Sequence, residues 1–121
     1  MRTQGTEFDK LLQSAVDDAL TNLGESVKQA IYFYIEKQFH VPRNNVSENL
    51  KDFQFGLERI FGVGARFIEI LIMKNLHSKI GRPLEIEDDE LEFSKYVNAA
   101  EESYLKTLTV SISEEISVTV E

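Results

Sequence analysis

Cysteine is absent from this chain, and its absence removes several kinds of chemistry at once. A protein without thiols forms no disulfide, offers no thiolate to zinc and has no cysteine nucleophile. His40 and His77 are the only imidazoles, and no set of nucleophile, base and orienting residue stands out along the chain. The sequence therefore predicts a protein that is not an enzyme and that binds no cofactor or metal.

Long hydrophobic runs and positive charge are also scarce. No stretch approaches about 18 consecutive apolar residues, and the opening MRTQGTEFDK lacks the basic-then-apolar order of a secretory signal. The 13 Lys and Arg residues face 21 Asp and Glu residues, which gives a net charge of -8. Such a balance repels phosphate backbones and anionic membranes at long range. We expect a cytoplasmic protein whose partners include neither nucleic acid nor membrane.

The residues that are present favour one helical domain. A chain of 121 residues, 42% of them hydrophobic, is large enough for one buried core. We predict an all-α bundle of about five helices over residues 1–106, arranged around a central apolar helix from Ala65 to Ile80, followed by a β-patterned tail over residues 107–121. In the central helix only Arg66 and Glu69 are polar before Met73, which is typical of a helix enclosed by others.

Apolar spacings of three and four predict the first two helices. The first begins at Thr6 or Glu7 and ends near Gly24, and the second covers roughly Glu25 to Phe39. The second contains the run IYFYI, five consecutive apolar or aromatic residues that cannot all face one core. Simple burial of the run is one interpretation. The other is a contact with a second chain, for which we predict the interface residues Tyr32, Phe33 and Ile35.

A loop at Pro42 and the paired asparagines separates these helices from a third, capped by Ser47 or Asn49 and ending at Phe61. Gly56 weakens that helix, and a close helix crossing is one reason to tolerate it. The following Gly-Val-Gly predicts a corner between helices. It is not a phosphate loop, because no strand precedes it and neither a third glycine nor a Lys-Ser/Thr pair follows.

Within the central helix, Arg66 and Glu69 stand three residues apart and can pair along the helix surface. The alternative is a polar contact that sets the register of a packed interface. After this helix, RPLEIEDDE reads as a solvated acidic connection. Its alternating Glu85, Glu87 and Asp89 could hold calcium, but the offsets of an EF-hand are missing. A fifth helix is expected from Leu91 or Phe93 to Leu105.

The tail has the period of a β-strand, because its apolar residues share one parity. A hairpin turning at residues 113–115, an intersubunit strand and disorder are the open alternatives, since an isolated hairpin is marginal in water. The residues predicted to mediate contact are Val110, Ile112, Val118 and Val120.

Three stretches, LGESVKQAIYFYIEKQF, LERIFG and GARFIEILIMKNL, resemble an archaeal helical family, the Nitrosopumilus output domain or NitrOD type. The resemblance covers roughly the first hundred residues. It implies a helical module that serves as an output or sensor in archaeal signalling, and it implies no catalytic residue. The matching positions are Leu23 to Tyr32, Glu58 to Ala65, Glu69, Leu71, Lys74 and Leu76.

Our hypothesis from the sequence is a non-enzymatic protein-interaction or signalling-output module that forms a homo-dimer. One alternative is a small-molecule sensor with a pocket between the second and fourth helices, lined by Tyr34, Phe67 and Ile68. Another is a DNA-associated regulator that uses the third and fourth helices as a helix-turn-helix. The second of those helices is too apolar to suit the reading of base edges.

Overall fold

The computed structural model describes the backbone of residues 7–81 and 92–120, and the side chains of residues 7–81 and 92–106. Within those ranges the chain forms five α-helices and two short 3₁₀ turns, and no strand, which confirms the predicted all-α bundle. The helices are α1 Glu7–Thr21, α2 Glu25–Phe39, α3 Leu50–Phe61, α4 Ala65–Ile80 and α5 Phe93–Val120, and the 3₁₀ turns are Val46–Glu48 and Gly62–Gly64.

Helix α1 packs most extensively against α4, with further contacts to α2. Its apolar residues recur every three or four positions, so they share one face, and Leu12, Val16 and Leu20 on that face are fully buried. Truncation of a buried leucine to alanine typically costs about 2–5 kcal/mol, so this face alone commits the helix to the bundle.

Helix α4 is the central helix that the sequence predicts, since it packs against α1, α3 and α5. Ile72 and Leu76 are fully buried along its inner side. It is not enclosed on every side, however, because Phe67 is 77% exposed. The expectation of a helix enclosed by others is therefore wrong at Phe67.

Helices α2 and α3 cross closely at Gly56, as the sequence predicts. A Cβ at that position would stand 2.9 Å from Cγ1 of Ile35 and 3.3 Å from the ring of Phe39. Glycine at position 56 therefore permits the crossing, because it gives the two backbones room to approach.

Asn49 occupies the N-cap position of α3, but its side-chain amide donates to the carbonyl of Asn45 instead of capping the helix.

The Gly62–Gly64 turn joins α3 to α4 as the predicted corner. Gly62 has φ 59° and ψ -132°, a conformation that side-chain-bearing residues rarely adopt. Its amide donates to the carbonyl of Glu58, which satisfies the last turn of α3. The corner fixes the angle at which α4 leaves α3, and with it the position of Val63 at its tip.

Helix α5 corrects the predicted β-patterned tail, because its helical backbone runs through residues 107–120. A helix satisfies its own backbone groups, and extending an existing helix avoids the cost of a new nucleus. A strand would need a partner, and no strand occurs in the described ranges. At about 1.5 Å per residue the 28 residues of α5 span about 42 Å.

Two further expectations concern the acidic connection and a membrane-spanning helix. The acidic residues Glu85, Glu87 and Asp89 lie outside the described residues. In the part of the chain that is described, no helix combines the length and the apolar character required to cross a membrane.

Candidate functional site

The interface predicted on α2 is split by the structure. Tyr32 and Ile35 are 4% and 1% exposed, so they belong to the protein's own core and are not free for the predicted contact. Phe33 lies on the opposite side of the helix and is 63% exposed. The period of 3.6 residues explains the division, because Phe33 is rotated around the helix axis by about 100° from Tyr32 and by about 200° from Ile35. Of the three predicted residues, only Phe33 stays a candidate contact.

Tyr32 is held by what we call the polar seam, formed by Gln13, Asp17, Tyr32 and Arg43. The Tyr32 hydroxyl donates to Oδ1 of Asp17 at 2.5 Å and accepts from Nε2 of Gln13 at 3.2 Å. The Arg43 guanidinium lies 4.5 Å from the centre of the Tyr32 ring. Burial, and then the hydrogen bond to Asp17, raise the pKa of Tyr32, so the phenol keeps its proton. The polar seam links α1 to α2, and the Tyr32 hydroxyl has both a hydrogen-bond acceptor and a hydrogen-bond donor as partners.

The pocket predicted between α2 and α4 is not formed by Tyr34, Phe67 and Ile68. Helix α2 packs on α1 and α3, so α4 is not its principal neighbour. Tyr34 turns towards Phe39, with ring centres 6.1 Å apart, whereas Phe67 faces solvent and Ile68 is buried in the core. The three side chains therefore do not line one cavity, and the assignment is corrected.

The tail residues Val110, Ile112, Val118 and Val120 lie on the helical backbone of α5, and their side chains are outside the described residues. Successive residues of an α-helix are rotated by about 100°, so positions of equal parity do not share one face. The single apolar strand face predicted for these residues is not available on that backbone.

A surface that the sequence does not single out lies at the corner between α3 and α4. Val63 at its tip is 98% exposed, and Phe67, about one helical turn further on, is 77% exposed. Ile60 in the last turn of α3 is 37% exposed. We call these three residues the apolar corner. Each of these side chains is large and apolar, although a corner exposed to solvent needs neither property.

Beside the apolar corner lies a cleft of about 760 Å³, where α3, α4 and the start of α5 meet. Its polar walls come from α3, from α4 and from Glu92, the residue before α5, and Val63 belongs to both the corner and the cleft. We call this feature the carboxylate cleft. Its described lining residues are Gln54, Glu58, Gly62, Val63, Ala65, Arg66, Glu69 and Glu92.

Glu69 is the buried group of the carboxylate cleft, with only 4% of its side chain exposed. Nη1 of Arg66 lies 3.6 Å from Oε1 of Glu69, in the i,i+3 pairing predicted from the sequence. Burial raises the pKa of Glu69, Arg66 opposes that rise, and the negative charges of Glu58 and Glu92 add to it. Among the described lining residues, three carboxylates therefore stand against one guanidinium.

The outer carboxylates have weaker partners. Glu58 is exposed and accepts a hydrogen bond of 3.3 Å from Gln54. Glu92 accepts one from Ser94 at 3.0 Å, and its other carboxylate oxygen stands 4.0 Å from Nζ of Lys95. Both carboxylates keep access to solvent, so they are able to meet a group that arrives from outside.

The described lining of the cleft offers charge and hydrogen bonds. Its carboxylates, one guanidinium and one amide are the polar groups that a ligand would meet. Among the described residues no group of three or more His, Asp or Glu is arranged to hold a metal ion. The arrangement suits recognition of a cationic group next to an apolar one.

A second cavity, of about 400 Å³, lies beside the polar seam. Its carboxylates are Asp9, which is buried, and Asp17, which is already engaged by Tyr32. Among the described residues of its lining, none is apolar. These residues are Asp9, Lys10, Gln13, Ser14, Asp17, Asn44 and Ser47.

Comparison of the chain with protein-family models, with curated proteins and with solved structures finds no match. The resemblance to the NitrOD-type family therefore stays a prediction from the residues quoted for it. The assignment of a function rests on the chemistry of the described surface.

Sequence reasoning missed Val63, Glu58 and Glu92 as members of one site. One signal was available for the corner, because a branched apolar residue between two glycines has little to pack against. A second was the pair of polar residues in an apolar helix, which the sequence left open as a register-setting contact. The approach of Glu92 had no local signal, because it follows from the packing of α5 on α3 and α4.

Proposed function

We propose that this protein is a non-enzymatic protein-interaction module and that the apolar corner is its contact surface. The observation that carries the proposal is the exposure of Val63 and Phe67, 98% and 77%, at the junction of α3 and α4. Clustered exposed apolar residues rimmed by polar ones are typical of interaction sites on folded proteins. The carboxylates beside them add directional contacts that select a partner.

Photo-crosslinking in a lysate of the source organism, followed by reconstitution, tests this proposal. The full chain with Val63→p-benzoylphenylalanine should give a discrete protein adduct, and Ser26→p-benzoylphenylalanine, at an exposed polar position of α2, is the matched control. The captured protein, once purified, should bind the unmodified chain, and Phe67→Ser should weaken that binding at least tenfold. Equal labelling from both positions, or no effect of Phe67→Ser, would count against the apolar corner.

Two finer parts of the proposal rest on separate observations. A role as a signalling output in archaea follows from the family resemblance. Self-association through α2 rests on Phe33, which is 63% exposed. Light scattering of the full chain tests the second part, and a dimer that becomes a monomer with Phe33→Ser but not with Leu105→Ser would support it.

A small-molecule sensor is the second candidate, and the carboxylate cleft favours it. A volume of about 760 Å³ lies within the usual range of ligand sites. The sensor would use this cleft and not the pocket predicted between α2 and α4. A set of small cationic metabolites should then raise the melting temperature of the unmodified chain and not that of Glu69→Gln.

A further inference from the structure

The charge around the apolar corner indicates what kind of partner covers it. In the part of the cleft that the structure describes, three carboxylates, from Glu58, Glu69 and Glu92, stand against one guanidinium, that of Arg66. Nζ of Lys95, an exposed side chain, stands 4.0 Å from Oε2 of Glu92. A surface with this imbalance attracts cations and repels anions at the distance of a docking partner.

The apolar corner and the carboxylate cleft are close enough for one ligand to contact both. Val63 lines the carboxylate cleft and also forms the tip of the apolar corner, so one ligand that covers Val63 meets both. Glu69 lies deep, with 4% of its side chain exposed, whereas Glu58 is on the surface. A side chain with a long apolar stem and a cationic end matches this succession, because the stem can lie on Val63 while the end reaches the carboxylates.

We propose that the apolar corner and the carboxylate cleft together bind a basic amphipathic segment of a partner protein. A lysine or arginine of that segment enters the cleft between Glu58, Glu69 and Glu92, and its apolar neighbours cover Val63 and Phe67. This inference rests on the proposed function and adds the chemistry of the partner to it.

A second copy of the chain is the less suitable occupant. Each copy has a net charge of -8, with 21 acidic against 13 basic residues. Two such surfaces repel one another before apolar contact is made, and the cleft adds to that repulsion at the contact itself. A basic segment is attracted by the same negative electrostatic field.

Titration of the isotope-labelled full chain with two synthetic amphipathic peptides tests the inference. Both peptides carry the same leucine face, and their polar faces carry lysine and arginine in one and glutamine in the other. The basic peptide should shift the backbone amide signals of residues 58–69 and of Glu92. Its Kd should be about tenfold lower than that of the glutamine peptide, and salt should reduce the difference.

Variants of the chain test which residues produce the difference in Kd between the two peptides. The change Glu58→Gln with Glu69→Gln should weaken the basic peptide about tenfold and leave the glutamine peptide unchanged. Glu36→Gln, which removes an exposed carboxylate on α2, is the control and should change neither Kd by more than about twofold. Phe67→Ser should weaken both peptides, because it removes the apolar contact they share.

Three outcomes would overturn the inference. Equal affinity for the two peptides would remove the role of the carboxylates and leave the proposed interaction function standing. Corner signals that move with the concentration of the protein alone would make a second copy the occupant. Absence of shifts with either peptide would reject the basic segment, and the crosslink at Val63 would then decide the proposed function separately.

Discussion

The polar seam between α1 and α2 and the carboxylate cleft beside α4 both bury an oxygen-bearing side chain, but they satisfy it in different ways. In the seam, the Tyr32 hydroxyl has a donor, an acceptor and a cation over its ring. In the cleft, Glu69 has one cation at 3.6 Å and two further carboxylates that oppose its charge. The Tyr32 hydroxyl has its partners within the chain, whereas the described lining of the cleft carries an excess of negative charge.

The difference separates a stabilising contact from a candidate binding site. A polar network whose members satisfy one another rigidifies the fold and has little left to offer a ligand. A buried carboxylate among other carboxylates costs stability, and a cation supplied from outside would reduce that cost. The side chains of the seam hold it together, while the shape of the cleft depends on the glycine corner that positions α4.

Removal of the seam hydroxyl should have the largest effect on stability. Tyr32→Phe leaves the carboxylate of Asp17 and the amide of Gln13 without the group they share, and we expect a loss of about 2 kcal/mol in the free energy of unfolding. Urea denaturation measures this loss. Tyr34→Phe, two residues away, is the control and should cost less than about 0.5 kcal/mol. Equal losses for the two variants would show that the seam is not the source.

A change at the corner should have the next largest effect. Gly62→Ala keeps every hydrogen bond but places a side chain at φ 59°, ψ -132°, which should cost about 1–2 kcal/mol. No atom lies within 4 Å of the added Cβ, so the cost is one of backbone strain alone. Gly64→Ala is the control, because Gly64 has φ -69° and its nearest contact would be 3.8 Å away. A chain that tolerates Gly62→Ala as well as Gly64→Ala would contradict this role of the corner.

Replacing Glu69, the buried carboxylate of the cleft, should change the free energy of unfolding in the opposite direction to replacing Tyr32 in the polar seam. Burial raises the pKa of Glu69, so between its unfolded and folded pKa values the folded state keeps a proton that the unfolded state has lost. The free energy of unfolding therefore falls as pH rises through that window. Glu69→Gln removes the titration, and the variant should be more stable than the unmodified chain at neutral pH. Unfolding in urea from about pH 4 to about pH 7 measures the difference, and a less stable variant would contradict the prediction.

The fold was largely predictable from the sequence because its signals are local. Apolar spacing predicts the bounds of α2 and α4 as the structure has them, and glycines with positive φ, Gly62 and Gly81, follow the helix ends predicted at Phe61 and Ile80. The tail was not predictable in this way. Its valines and isoleucines alternate like a strand, but without a strand to pair with, the backbone of α5 continues as a helix to Val120.

The candidate site was less predictable because it depends on packing between helices. The run IYFYI indicates that one helix has more apolar surface than one core can take, but only the rotation of α2 decides that Phe33 is left outside. The meeting of Glu58, Glu69 and Glu92 joins three parts of the chain. No spacing within one helix encodes such a meeting.

The smallest expected change in stability belongs to Glu58, the exposed wall of the cleft. Glu58→Gln should alter the free energy of unfolding by less than about 0.5 kcal/mol, because the side chain is on the surface. The pKa of Glu69 should nevertheless fall, since the charge of Glu58 is one of the causes that raise it. Carboxyl resonances followed by NMR during a pH titration measure that pKa, and Glu36→Gln serves as the control that removes a carboxylate outside the cleft. An unchanged Glu69 pKa in both variants would mean that the carboxylates do not act on one another across the cleft, and the contrast with the polar seam would then rest on burial alone.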